Sequence, residues 1–129
     1  MIRSLDIVKL ALDIKAENCK LINVEKVSSI TDEIFICSAD NERQVRAIAE
    51  NILKHVPKSQ VLGQDGMENS RWIILDFGHL IVHIFHEDER VQYNIEGLYT
   101  KGKTVPIPTE LFMSCLLYTS DAADEEDSV

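Results

Sequence analysis

Arg71-Trp72-Ile73-Ile74-Leu75-Asp76-Phe77-Gly78-His79-Leu80-Ile81-Val82-His83-Ile84-Phe85-His86, followed directly by Glu87-Asp88-Glu89-Arg90, decides the fold. Two apolar runs meet at Phe77-Gly78, a turn dipeptide, and predict a hairpin. From His79 the alternation puts His79, Ile81, His83 and Phe85 on one face, with Leu80, Val82, Ile84 and His86 on the other. Both faces are largely apolar, so the second strand is expected to be central, with helices on both sides. Glu87-Asp88-Glu89 suits the positive N-terminal end of a helix, expected to run over 87–99. Val91, Ile95 and Leu98 would face the core. Tyr93 lies about 200° from Val91 at roughly 100° per residue, so it points away from that stripe.

Working outward, Asn41 and Gln44 stand at capping-box spacing. Val45, Ile48, Ala49, Ile52, Leu53 and Val56 then form one stripe, and Pro57 ends the helix. A first helix is predicted over 4–17, with Ser4 as N-cap and Ile7, Leu10, Ala11 and Ile14 as its buried face. Strands are predicted over 19–27 and 33–38, the second rich in β-branched and aromatic residues. Val61-Leu62 reads as a short strand inside the 58–70 connection. Beyond Gly102, Pro106 and Pro108 keep the chain extended. The order of elements predicts an α/β domain built on a small mixed β-sheet flanked by helices.

At 129 residues and 45% hydrophobic content the chain suits one domain. No apolar run reaches membrane-span length, and the N-terminus has no secretory pattern. Three widely spaced cysteines, Cys19, Cys37 and Cys115, form no CxxC, which points to a reducing, cytoplasmic setting. A formal charge of −9 argues against nucleic acid as the direct partner and is compatible with a basic protein. Residues 115–129 hold five acids and no cation, so the rest of the chain carries only −4. The string from Cys115 to Glu125 resembles one reading frame of a sequencing-library adapter. The domain is therefore set at 1–112, with 113–129 as a non-native, disordered tail.

Chemistry-bearing residues are few. His79, His83 and His86 beside Glu87 and Asp88 invite a metal reading, but His79 and His83 are about 13 Å apart along a strand and His86 faces the other way. Asp76 with Asp32, Glu33 or Asp40 would supply carboxylates for Mg²⁺ and nucleotidyl transfer. The position where a second strand carboxylate is needed holds His79, and no P-loop or GxGxxG is present. Without such a pair, Asp76 caps the Phe77-Gly78 turn. Cys37 at a strand end reads as a buried thiol more readily than as a nucleophile. Trp72 is balanced between core edge and interface anchor. On the last helix, Arg90, Tyr93 and Glu96 share the off-core side.

Thr31-Asp32-Glu33-Ile34-Phe35-Ile36-Cys37-Ser38, Arg43–Glu50, Trp72-Ile73-Ile74-Leu75-Asp76-Phe77-Gly78, Ile81-Val82-His83-Ile84-Phe85, and Glu89-Arg90 with Tyr93-Asn94-Ile95-Glu96 together resemble the ribosomal silencing factor family, RsfS or Iojap. The resemblance covers residues 4–99 in matching order. It implies a nucleotidyltransferase-like fold without catalysis and no cofactor or metal. It further implies binding of the large ribosomal subunit through ribosomal protein fourteen, which blocks subunit joining and represses translation under nutrient limitation. The chain departs from the family pattern at His79, where Asp is usual, and at Tyr99, where Trp is usual. Trp72, Asp76, Phe77, His79, Leu80, Arg90, Tyr93 and Glu96 are then the expected partner-binding residues, with Trp72 and Tyr93 as anchors and Asp76 and Glu96 as partners for Lys or Arg. His83 would orient the patch through a hydrogen bond. The competing readings are a Mg-dependent nucleotidyltransferase-like enzyme and a homodimeric adaptor using the same surface.

Overall fold

The computed structural model describes residues 3–99 and 101–108. The expected tail at 113–129 lies outside them. The elements, in chain order, are α1 (Ser4–Asp13), β1 (Glu17–Asn23), β2 (Glu33–Ala39), α2 (Glu42–His55), β3 (Gly63–Asp65), β4 (Trp72–Asp76), β5 (Leu80–His86), α3 (Glu87–Tyr93) and β6 (Lys103–Val105). Short 3₁₀ turns occupy Lys58–Gln60 and Ile95–Tyr99. The sheet has the order β3-β4-β5-β2-β1-β6. It is mixed: β2 and β5 run parallel, and the other described pairs are antiparallel. The α/β reading with a mixed sheet holds. None of the helices among the described residues is long and apolar enough to cross a membrane.

α2 forms as its stripe requires. The Asn41 side chain accepts from the Gln44 amide at 2.8 Å, satisfying a donor that the first helical turn leaves open. Val45, Ile48, Ala49 and Ile52 are then fully buried. At about 1.5–3 kcal/mol for each large apolar side chain removed from water, that face outweighs the weak helix propensity of its β-branched members. α1 is shorter than predicted. Lys15 turns left-handed (φ 62), and the Ala16 and Lys15 amides reach back to the Ala11 and Leu12 carbonyls in a Schellman closure. Ser4 is not its cap. Its hydroxyl donates to the Glu33 carboxylate on β2, and Arg3 holds the cap position.

α1 and α2 cover one face of the sheet. Leu21, Phe35, Cys37, Ile73, Leu75, Leu80, Val82 and Ile84 pack there. The opposite face carries Ile22, Ile34, Ile36 and Phe85, roofed by Trp72, Ile95 and Tyr99. The predicted alternation in β5 is therefore correct, but its two-sided helical cover is incomplete.

α3 is the reason. It runs for only 7 residues before Asn94 turns left-handed (φ 45), and a 3₁₀ turn replaces the helix expected to reach 99. With the helical period broken, Val91 and Leu98 stay exposed at 82% and 74%, while Ile95 still packs inward. Two further elements shift. Val61-Leu62 precedes the edge strand, which forms at Gly63–Asp65 against β4, and the first strand starts earlier than 19 and ends at Asn23.

Candidate partner-binding face

The part of the second sheet face that the described residues leave uncovered lies over β4 and β5. Cross-strand pairing sets Trp72 opposite Phe85, Ile74 opposite His83 and Asp76 opposite Ile81, all pointing to this side. Trp72, Ile74, Asp76 and Ile81 are each partly exposed. Trp72 and Asp76 are four residues apart on one strand, so the strip is about 13 Å long.

Trp72 is held from three directions. Its ring stacks on Phe85 at 5.0 Å and packs against Tyr93 at 4.9 Å. Its Nε1–H donates to His83 Nδ1 at 3.1 Å. That bond requires an unprotonated Nδ1, and burial pushes the His83 pKa down to about 4, so the ring is neutral at pH 7. His83 thus orients Trp72. Tyr93, half exposed on the last residue of α3, completes the aromatic end of the strip.

At the other end is the β4–β5 turn. One Asp76 carboxylate oxygen accepts from the Gly78 amide at 2.8 Å, and Gly78 takes φ 86, a conformation glycine adopts without strain. The His79 carbonyl accepts from the Asp32 and Glu33 amides, which pins the turn to the start of β2. His79 Nδ1 lies 3.2 Å from the Phe77 carbonyl. Phe77 and Leu80 do not belong to the exposed set: they are 6% and 0% exposed and face α1 and α2. Their part is to anchor the turn from below.

Arg90 and Glu96 also differ from expectation. The Arg90 guanidinium donates to Glu96 at 2.9 Å, to the Asn18 carbonyl at 2.6 Å and to Ser38 Oγ at 3.1 Å. Glu96 lies 3.7 Å from Lys20 as well. Arg90 holds the Glu96 carboxyl below its ordinary range, so that charge is neutralised within the chain. Together they clamp α3 and the following turn onto the ends of β1 and β2, which fixes Tyr93. A bidentate pair from Arg71 to Glu89, at 3.0 and 2.7 Å, ties α3 to the start of β4.

The structure therefore brings Trp72, Tyr93 and Asp76 onto one face, makes Arg90, Glu96, Phe77 and Leu80 its supports, and sets His79 beside its turn. Ile74 and Ile81, absent from the expected set, form its centre. The Trp72-Ile74-Asp76 alternation points to them once the face is known to be open. Among the described residues, no acid–base or nucleophile arrangement joins this face. Glu33 is bonded to Ser4 and Asp76 to Gly78, and burial raises the Cys37 thiol well above its ordinary pKa. Among the described residues, no three His, Cys, Asp or Glu side chains gather as a metal site needs.

The family model described as "Ribosomal silencing factor during starvation" matches residues 3–128. The chain belongs to the ribosomal silencing factor family. The family member RsfS of Halalkalibacterium halodurans is 40% identical over 98 residues, spanning 74% of this chain and 83% of its own. RsfS of Bacillus subtilis is 36% identical over 67% of this chain and 75% of its own. The chloroplastic Iojap protein of Arabidopsis thaliana is 29% identical over 83% of this chain and 45% of its own. A crystal structure from Bacillus halodurans superposes with a TM-score of 0.68 at 35% identity, covering 78% of this chain and 92% of that one. One from Chromobacterium violaceum reaches 0.67 at 27% identity, covering 75% and 86%.

Proposed function

We propose that this silencing factor binds the large ribosomal subunit by laying the Trp72–Tyr93–Ile74–Ile81 face against ribosomal protein fourteen, and that its bulk then keeps the small subunit from joining. Translation falls as a result when nutrients are scarce. The observation that carries this reading is an apolar, aromatic strip that the described residues leave partly exposed, held rigid by the Trp72–His83 hydrogen bond and by stacking on Phe85. Rigid aromatic anchors in a strip with a charged end are what a protein interface uses for affinity. Asp76, with one oxygen on the turn, offers the other to a Lys or Arg of a basic partner. Steric blocking requires no catalytic group, and the chain is a binding protein rather than an enzyme.

The test is co-sedimentation with purified large subunits at near-physiological salt, followed by light scattering of subunit joining. The wild-type chain is expected to sediment with the subunit and to suppress joining. Trp72→Ala and Ile81→Lys, each checked for native folding, are expected to weaken binding at least tenfold, the order of a central anchor. A folded wild-type chain that stays in the supernatant overturns the proposal. Dimerisation through this face without subunit binding would favour the adaptor reading.

A further inference from the structure

At the sheet edge remote from β3, the turn after β1 and the turn before β6 enclose a cleft. Lys26, Lys101 and Lys103 line it, with Asn23, Val27 and Gly102 as its floor and Glu25 as its one acid. The cleft is shaped by the backbone. The Val27 and Ser28 amides close a turn on the Val24 carbonyl, and the Gly102 amide closes another on Tyr99. Gly102 lets the two turns approach: a Cβ there would meet Ile22 at 2.7 Å and the Asn23 carbonyl at 2.9 Å. All three lysines are exposed and none joins an ion pair among the described residues, as is also true of the scattered Lys15, Arg43, Lys54 and Lys58; here three such cations share one cleft.

An acidic chain that leaves three lysines unpaired on one concave edge has a local field opposite to its net charge. We infer that this cleft takes the phosphate backbone of structured RNA lying beside the protein contact on the large subunit. The inference rests on the proposed function. A binder whose face suits a basic protein is repelled by the RNA that surrounds such a protein, unless its flank is basic. β6 is four strands from β4 in the sheet order, which sets the cleft about 19 Å from the aromatic strip. That spacing suits two simultaneous contacts, one with protein and one with adjacent RNA. Lysines on turn backbone read charge and not bases, so the contact carries no sequence preference.

The experiment uses the full chain and the triple variant Lys26→Gln, Lys101→Gln, Lys103→Gln. Binding is measured to purified large subunits over a range of salt concentrations, and separately to isolated ribosomal protein fourteen. The variant is expected to bind the isolated protein like wild type but the subunit more weakly. Its slope of log affinity against log salt should fall by about 2–3, roughly one for each phosphate contact removed. An unchanged slope and affinity for the subunit overturn the inference, as does equal loss on the isolated protein, which would make the cleft a protein contact. If wild type does not bind the subunit, the proposed function fails. The cleft is then judged by titrating a short RNA duplex at low salt. Amide shifts confined to residues 23–27 and 101–103 uphold it, and none there overturns it.

Discussion

Acidification between pH 7 and pH 5 should loosen this protein through one bond. His83 Nδ1 accepts the Trp72 indole proton and is buried, so protonation both removes the acceptor and charges an apolar site. Its folded pKa is about 4, against about 6.5 for a free histidine. The unfolded chain therefore binds more protons throughout the pH 4–6.5 window, and stability must rise with pH there. The contribution is whole above about 6.5 and is lost as pH falls toward 4. From pH 7 to 5 the linkage amounts to about 2 kcal/mol. Arginine holds the Glu42, Glu89 and Glu96 carboxyls below their ordinary range, so they stay charged in the folded protein between pH 7 and 5. Urea unfolding followed by the emission of Trp72, the single tryptophan, measures it directly. His83→Asn keeps an acceptor near Nδ1 and has no titration, so its stability should change by about 2 kcal/mol less than wild type over the same interval. Equal pH slopes for the two proteins would refute the reasoning.

Other positions make independent demands. Gly66 sits at φ 86 with its Cβ position 2.0 Å from the Trp72 carbonyl, so Gly66→Ala must displace backbone. A loss of at least about 3 kcal/mol is expected, read as a lowered urea midpoint. Arg90→Ala strips Glu96, Ser38 and the Asn18 carbonyl of their common donor. It should cost about 2–3 kcal/mol and speed amide exchange selectively in 87–99; uniform exchange across the sheet would count against the clamp.

The sheet's central strands and α2 were legible because their patterns are local. The 45–56 stripe and the Asn41 cap need nothing beyond their own residues. β3 was misplaced because Gly63-Gln64-Asp65 has no apolar alternation; pairing with Asp76, Leu75 and Ile74 makes it a strand. The end of α3 was hidden for a related reason. Asn94 adopts the left-handed region while Arg90 is drawn to Asn18 and Ser38, contacts that sequence separation conceals. Trp72 and Tyr93 were expected on this face by resemblance; Ile81 was absorbed into an assumed two-sided core, and Ile74 was given no place. Only the shortness of α3 reveals their exposure.

The parallel pairing of β2 with β5 has a consequence in time. Glu33 pairs with Leu80, so the sheet closes only after the chain between them has folded back. Such distant pairing is slow to form, and synthesis delivers the N-terminal strands first. Trp72 has no finished platform until β5 zips onto β2, and Tyr93 arrives later still. On the proposed function, the order of synthesis itself delays binding competence until Tyr93 has emerged.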